Sequence, residues 1–80
     1  MTVNNAVAKR ISDLLVKNNM TQYRLEQMTG IQHGSLQCIM NGRNKTVTLS
    51  TLILIANGFG MSVSEFLNDE IFSLTSIELE

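Results

Sequence analysis

Residues 21–42 of the chain, TQYRLEQMTGIQHGSLQCIMNG, contain two short helical patterns joined by a turn with a glycine. Thr21 is a favourable N-cap for the first of these helices, and Gly30 is the type of residue that ends a helix in a left-handed conformation. Three residues, 29–31, separate the two patterns. A glycine-containing turn of this length makes consecutive helices cross steeply, which is typical of a helix-turn-helix unit.

Apolar spacing predicts the buried side of each helix in this pair. The second helix is expected to extend from about Gln32 to Asn41, and Gly42 follows as its stop signal. Apolar residues three or four positions apart share one face of a helix, and that face is expected to meet the core. The residues predicted to be buried here are Leu25, Met28, Leu36, Ile39 and Met40.

Three more helices are predicted around this pair, each with a favourable cap at its start. The caps are Asn4 or Asn5 for the first helix, Thr48 for the fourth and Ser62, in a capping box with Glu65, for the fifth. Asn18-Asn19 can supply the left-handed residue that ends the first helix. The apolar faces are Val7, Ala8, Ile11, Leu14 and Leu15; then Leu49, Leu52, Ile53, Ala56 and Phe59; then Val63, Phe66 and Leu67.

Length and composition predict one small domain. Eighty residues, 44% of them hydrophobic, are enough for a single core. We expect this domain over residues 1–68, and an acidic tail over residues 69–80 that packs on the core or on a dimer partner. No secretory pattern opens the chain, and its longest apolar run, residues 52–56, is too short to span a bilayer. A cytoplasmic protein without membrane contact is therefore expected.

The charged residues are unevenly distributed along the chain. Residues 1–48 carry six basic and two acidic side chains, a balance of +4, whereas residues 49–80 carry five acidic side chains and no Lys or Arg, a balance of −5. Such polarity lets one face attract a polyanion while the other face repels it, which orients the encounter. Ordinary variation in surface charge is the alternative explanation.

The stretch from Thr21 to Leu67 resembles the Cro/C1-type helix-turn-helix domain, the lambda-repressor-like fold, and in particular the short single-domain regulators of Gram-positive bacteria. The apolar and glycine positions of the family pattern are occupied, in register and without gaps, by Leu25, Gly30, Ile31, Leu36, Ile39, Gly42, Leu49, Leu52, Ile55, Ala56, Gly60 and Phe66. The resemblance implies a compact, all-α domain of five helices with the helix-turn-helix in helices 2 and 3. It also implies a bacterial or phage transcriptional regulator, commonly a repressor, that binds double-stranded DNA.

Four positions depart from the family pattern. Glu26 stands where a small residue usually packs between helices 2 and 3, and Gln32 replaces the usual Ser or Thr cap of helix 3. Met40 replaces a frequent glutamate, and Val47 replaces a proline in the following loop. We expect the Glu26 carboxylate at the rim of the helix contact and a less rigid loop at Val47.

The resemblance makes helix 3 the recognition helix, which lies in the major groove of DNA. Its solvent-facing residues are predicted to contact bases: Gln32, His33, Gly34, Gln37, Cys38 and Asn41. Gln32 and Gln37 can pair with the N6 and N7 atoms of adenine, and His33 can donate to N7 or O6 of guanine. Gly34 leaves room for the helix backbone to approach the DNA. The alternative is a merely solvated polar helix face.

Phosphate contacts are expected from residues that flank the recognition helix. Gln22 opens helix 2, where backbone amides and the helix dipole favour an anion. The other predicted phosphate contacts are Ser35, Asn41, Arg43, Asn44 and Lys45. Tyr23 either contacts the DNA backbone through its hydroxyl or covers the core.

Other functions have weaker support in the sequence. His33 and Cys38 are the only histidine and cysteine, so a metal site lacks the three or four ligands that it needs, and a catalytic Cys/His pair on an outward helix face lacks a cleft. We therefore expect no enzyme activity, catalytic residue, metal or cofactor, with redox sensing by Cys38 as a minor alternative.

The main rival function is an antitoxin or adaptor that binds a protein partner through the acidic tail. We also expect a homodimer on DNA, joined through a surface away from the basic loop, unless the tail folds back on its own core. The candidate dimer contacts are Phe59, Met61, Phe66, Ile71, Phe72 and Leu74.

Overall fold

A computed structural model describes residues 2–43 and 46–73, and its elements are all helical. The α-helices of the described residues are α1 (Val3–Lys17), α2 (Gln22–Thr29), α3 (His33–Met40), α4 (Leu49–Gly58) and α5 (Val63–Leu67). A short 3-10 helix over Glu70–Phe72 follows them. The predicted all-α class is confirmed, with five α-helices in this part of the chain and α2 and α3 as the helix-turn-helix.

Side-chain caps fix where several helices begin. Thr21 Oγ1 accepts from the Arg24 N–H and Thr48 Oγ1 accepts from the Thr51 N–H, as predicted for these two caps. The prediction that Asn4 or Asn5 caps α1 is wrong. Thr2 has the extended backbone of an N-cap, and its Oγ1 accepts from the Asn5 N–H at 3.1 Å, so α1 starts earlier than expected.

The predicted capping box of α5 is present. Glu65 N–H donates to Ser62 Oγ at 3.2 Å, and Ser62 N–H donates to Glu65 Oε1 at 3.0 Å. The Ser62 backbone N–H, followed by the Ser62 side chain, lowers the pKa of the Glu65 carboxyl. The ionised Glu65 carboxylate in the capping box therefore stabilises the fold above the unfolded-state pKa of Glu65. This stabilisation is lost as pH falls through the lower folded-state pKa.

The core joins α1, α2, α3, α4 and α5 around side chains that are excluded from solvent. Its buried members are Ala6, Val7, Ile11, Leu14, Leu25, Leu36, Ile39, Ile55, Ala56 and Phe66. Ala6, rather than the predicted Ala8, belongs to this set, and Met40 and Leu15 pack against it while partly exposed. Most of the predicted core of α1 and α3 is therefore confirmed.

The predicted buried face of α4 is rotated from the observed one. Ile55, which the family pattern includes but the face predicted from helical spacing does not, is fully buried, whereas Leu49 is 60% and Ile53 45% exposed. The helix is apolar on most sides, so spacing alone admits two faces. Contacts with α2 on one side and α5 on the other select the face that contains Leu52, Ile55, Ala56 and Phe59.

Gly58 brings α4 close to α2. A Cβ at this position would lie 2.7 Å from Thr29 Cγ2 and 2.9 Å from Leu25 Cδ1. Leu25 and Thr29 therefore occupy the inner side of α2, and Met28 lies at the edge of the contact with 51% exposure. The prediction that Met28 belongs to the core is wrong.

Arg10 connects α1 to the end of α5. Its Nε donates to the Phe66 carbonyl at 2.8 Å, its Nη2 donates to the Glu65 carbonyl at 3.1 Å, and its Nη1 lies 3.4 Å from Asp69 Oδ2. The guanidinium carbon also lies 5.8 Å from the centre of the Phe66 ring. The Phe66 carbonyl near the C-terminus of α5 thereby gains a partner, and the Glu65 carbonyl, which also accepts from the Asn68 N–H, gains a second one.

The start of the predicted tail packs on the chain's own core. The ring centres of Phe66 and Phe72 are 6.2 Å apart, and the 3-10 helix lies against α1. Phe66 is fully buried in the core, so its predicted role in a dimer surface is wrong. Leu67, predicted to face the core, is 36% exposed. Leu74, with the rest of the predicted tail, lies outside the described residues.

We predict that Gly58→Ala lowers the free energy of unfolding by about 1–3 kcal/mol, because the new methyl group overpacks the contact with Leu25 and Thr29. Urea unfolding followed by circular dichroism measures this change. Gly34→Ala is the matched control, since its Cβ would meet no atom within 4 Å. Equal effects of the two substitutions would contradict the close approach of α2 and α4.

Candidate nucleic-acid interface

Burial of the apolar face of α3 determines which of its residues are exposed to solvent. Leu36 is 0% and Ile39 is 3% exposed, and together they hold α3 against α1 and α2. The exposed positions at and along the helix are Gln32, His33, Gly34, Ser35, Gln37, Cys38 and Asn41. Their contact with bases or phosphates remains a prediction.

The N-terminus of α3 is open to solvent. Gln32 occupies the N-cap position with an extended backbone and makes no side-chain cap hydrogen bond. Gly34 follows in the first turn, where an added Cβ would meet nothing within 4 Å. The first-turn amides of a helix carry the positive end of its dipole, so this end is suited to an anionic neighbour.

A hydrogen-bond network links α2 to α3. Gln22 Nε2 donates to Gln37 Oε1 at 2.8 Å and to Glu26 Oε2 at 3.3 Å. His33 Nδ1 lies 2.7 Å from the same Glu26 oxygen. Two predicted base contacts on α3 are therefore joined to Gln22, a predicted phosphate contact, through side chains of α2.

Glu26 is the member of this network that the sequence analysis did not assign to the site. Its side chain is 10% exposed, whereas that of His33 is 71% exposed. Gln22 and Glu26 are four residues apart and therefore share a face of α2. This spacing is the only sequence feature that links Glu26 to the predicted site residue Gln22, and it does not show that this face of α2 contacts His33.

The other predicted phosphate contacts that the structure describes are all exposed to solvent: Tyr23, Ser35, Asn41 and Arg43. Tyr23 is 67% exposed and its hydroxyl accepts from Gln27 Nε2 at 3.1 Å, so its side chain does not cover the core. Arg43 is exposed immediately after Gly42, whose φ of 68° turns the chain away from α3. Asn44 and Lys45 lie outside the described residues.

Part of the positive charge counted in residues 1–48 has partners within the fold. Lys9 forms an exposed ion pair with Asp13 at 3.2 Å, and Arg10 is held by α5 and Asp69. Arg24, in the first turn of α2, and Arg43, after α3, are exposed. The positive charge available to a partner is therefore smaller than the sequence count.

Two further features of the described residues bear on function. Over residues 2–43 and 46–73, His, Cys, Asp and Glu side chains form no group of three that could hold a metal ion. Among the helices of this same part, none is long and apolar enough to cross a membrane.

Comparison with known proteins finds a matching family model and a solved structure with a similar fold. A family model described as the Cro/C1-type HTH DNA-binding domain matches residues 10–70. The crystal structure of the prophage Lp1 protein 11 is similar in fold, with a TM-score of 0.82 and 22% sequence identity over 91% of this chain and 96% of that chain. No curated protein matches the chain.

Proposed function

This chain belongs to the Cro/C1-type HTH DNA-binding domain family, and we propose that it is a sequence-specific regulator of transcription that represses by occupying an operator. The observation that carries the proposal is the anchoring of α3 by Leu36 and Ile39, which leaves a mostly polar face of this helix exposed to solvent. In this proposal residues 32–41 enter the major groove of double-stranded DNA.

The side chains on this face suit contacts with base edges. Gln32 and Gln37 carry amides that can both donate and accept, which matches the adjacent N6 and N7 atoms of adenine. The contact with Gln22 holds the Gln37 side chain in place before DNA arrives. A side chain ordered in advance loses less entropy on binding, which supports specific recognition.

Phosphate contacts position α3 in the groove. We assign them to Gln22, Tyr23, Ser35, Arg43 and the loop residues Asn44 and Lys45. Thr21 satisfies the Arg24 N–H, and the remaining amides of the first turn of α2 favour an anion. The exposed Arg43 adds a charge that attracts the DNA backbone whatever its sequence.

We further propose that two copies bind an inverted repeat as a homodimer. One recognition helix contacts too few base pairs to discriminate one site in a genome. A twofold pair would contact half-sites about 10 base pairs apart or a multiple of that spacing. Phe66 is buried within the monomer and does not contribute to the surface that joins the copies.

In vitro selection from a random duplex pool tests the proposed function. We expect recovery of a motif with inverted-repeat symmetry, and tight binding of that motif relative to scrambled DNA in a salt titration. Equal affinity for the recovered and scrambled duplexes would contradict sequence-specific binding. A single half-site bound by the intact protein would contradict the dimer.

We predict that Arg43→Ala weakens binding to every duplex by a similar factor and reduces the log–log salt slope by about one unit. Lys9→Ala removes the same charge from an ion pair on α1 and serves as the control. Fluorescence anisotropy at several salt concentrations measures both slopes. An identical change in the two variants would mean that Arg43 acts only through net charge.

We predict that Gly34→Ala increases stability but weakens DNA binding. Alanine raises the free energy of unfolding by about 0.5–1 kcal/mol relative to glycine inside a helix, and no atom of the protein lies in its way. On DNA, the methyl group separates the helix backbone from the base edges. Urea unfolding and operator binding are measured on the same preparation. Unchanged affinity would contradict close approach of α3 at this position.

A further inference from the structure

The contact between Glu26 and His33 joins a shielded carboxylate to an exposed ring. Glu26 Oε2 lies 2.7 Å from His33 Nδ1, and the imidazole is otherwise largely in solvent. The same carboxylate oxygen also accepts from Gln22 Nε2, which donates to Gln37 Oε1 on α3 as well. The position of the His33 ring is therefore set from α2 as well as from its own helix.

The chemistry of this contact determines which nitrogen carries the proton. An ionised carboxylate only accepts hydrogen bonds, so the Nδ1 atom that faces it must bear a hydrogen. A neutral imidazole has one N–H and one lone pair, and the partner of one nitrogen sets the role of the other. In the neutral ring, His33 Nε2 is then an acceptor. An unconstrained neutral histidine favours the opposite tautomer, with the hydrogen on Nε2.

We propose that Glu26 is a positioning residue that determines specificity by holding the neutral ring of His33 as the Nδ1–H tautomer. The exposed Nε2 then accepts a hydrogen bond from an exocyclic amino group, either N6 of adenine or N4 of cytosine. This differs from the sequence-based expectation that His33 donates to guanine. The base preference rests on the proposed function, whereas the tautomer is a property of the free protein.

The tautomer is measured directly by long-range 1H–15N correlation spectroscopy on protein without an affinity tag, at a pH chosen so that the spectrum itself shows the neutral ring. His33 is the only histidine in the chain, so one set of imidazole signals is observed. We expect the Nδ1–H pattern in the wild-type protein and a shift toward the Nε2–H pattern in Glu26→Ala. A wild-type spectrum dominated by Nε2–H would overturn the proposal.

Gln22→Ala is the matched control for the loss of a side chain from the network. It removes the amide that bridges Glu26 and Gln37 but leaves Glu26 opposite His33, so the Nδ1–H pattern should persist. Circular dichroism checks that each variant is folded, and alanine is well tolerated in a helix such as α2. A tautomer that changes equally in both variants would contradict a specific role for Glu26.

Selection of DNA with the wild-type protein and with Glu26→Ala tests the consequence for specificity. We expect the base preference at the pair nearest His33 to move from adenine or cytosine toward guanine, with relative affinities changing about 5-fold or more. In a His33→Ala background the Glu26 substitution should change no preference. A uniform loss of affinity on all sequences would refute the role in specificity. Failure of the wild-type protein to bind any duplex would overturn the proposed function, while the spectra would still decide the tautomer.

Discussion

The insertion of Leu36 and Ile39 into the core is the constraint on which the rest of the surface depends. The α3 helix has eight residues, and an isolated helix of that length is not stable in water. Its rotation and position therefore come from tertiary packing against α1 and α2. Because these two side chains are buried, the rotation of α3 is fixed, and its polar residues lie on the face exposed to solvent.

The contact between α2 and α3 adds a second, polar layer above this apolar anchor. Gln22 and Glu26 of α2 engage Gln37 and His33 of α3 through side-chain hydrogen bonds at the solvent boundary. Apolar packing sets the backbone of the helix, and this network sets the orientation of individual side chains. The apolar packing contributes to stability, whereas the network orients donors and acceptors at the surface of the two helices.

Much of the fold was predictable because local signals and packing agree. Thr21, Thr48 and Ser62 cap the starts of α2, α4 and α5 as predicted, and Gly30 ends α2 with a φ of 76°. The face of α4 could not be predicted from helical spacing, since a helix that is apolar on most sides takes its orientation from its neighbours. The contact between Glu26 and His33 was missed for a related reason: it crosses between helices, and helical spacing describes one helix at a time. The DNA contacts of α3 are still a prediction.

We propose that the face of α3 opposite Leu36 and Ile39 contacts DNA. Backbone amide chemical shifts, followed during titration with a duplex recovered by selection, test it most directly. We predict the largest changes in residues 32–41, in the first turn of α2 and at Arg43, with small changes in α4. Changes centred on the exposed α4 residues Leu49, Ile53 and Leu54, with α3 unaffected, would contradict DNA binding through α3.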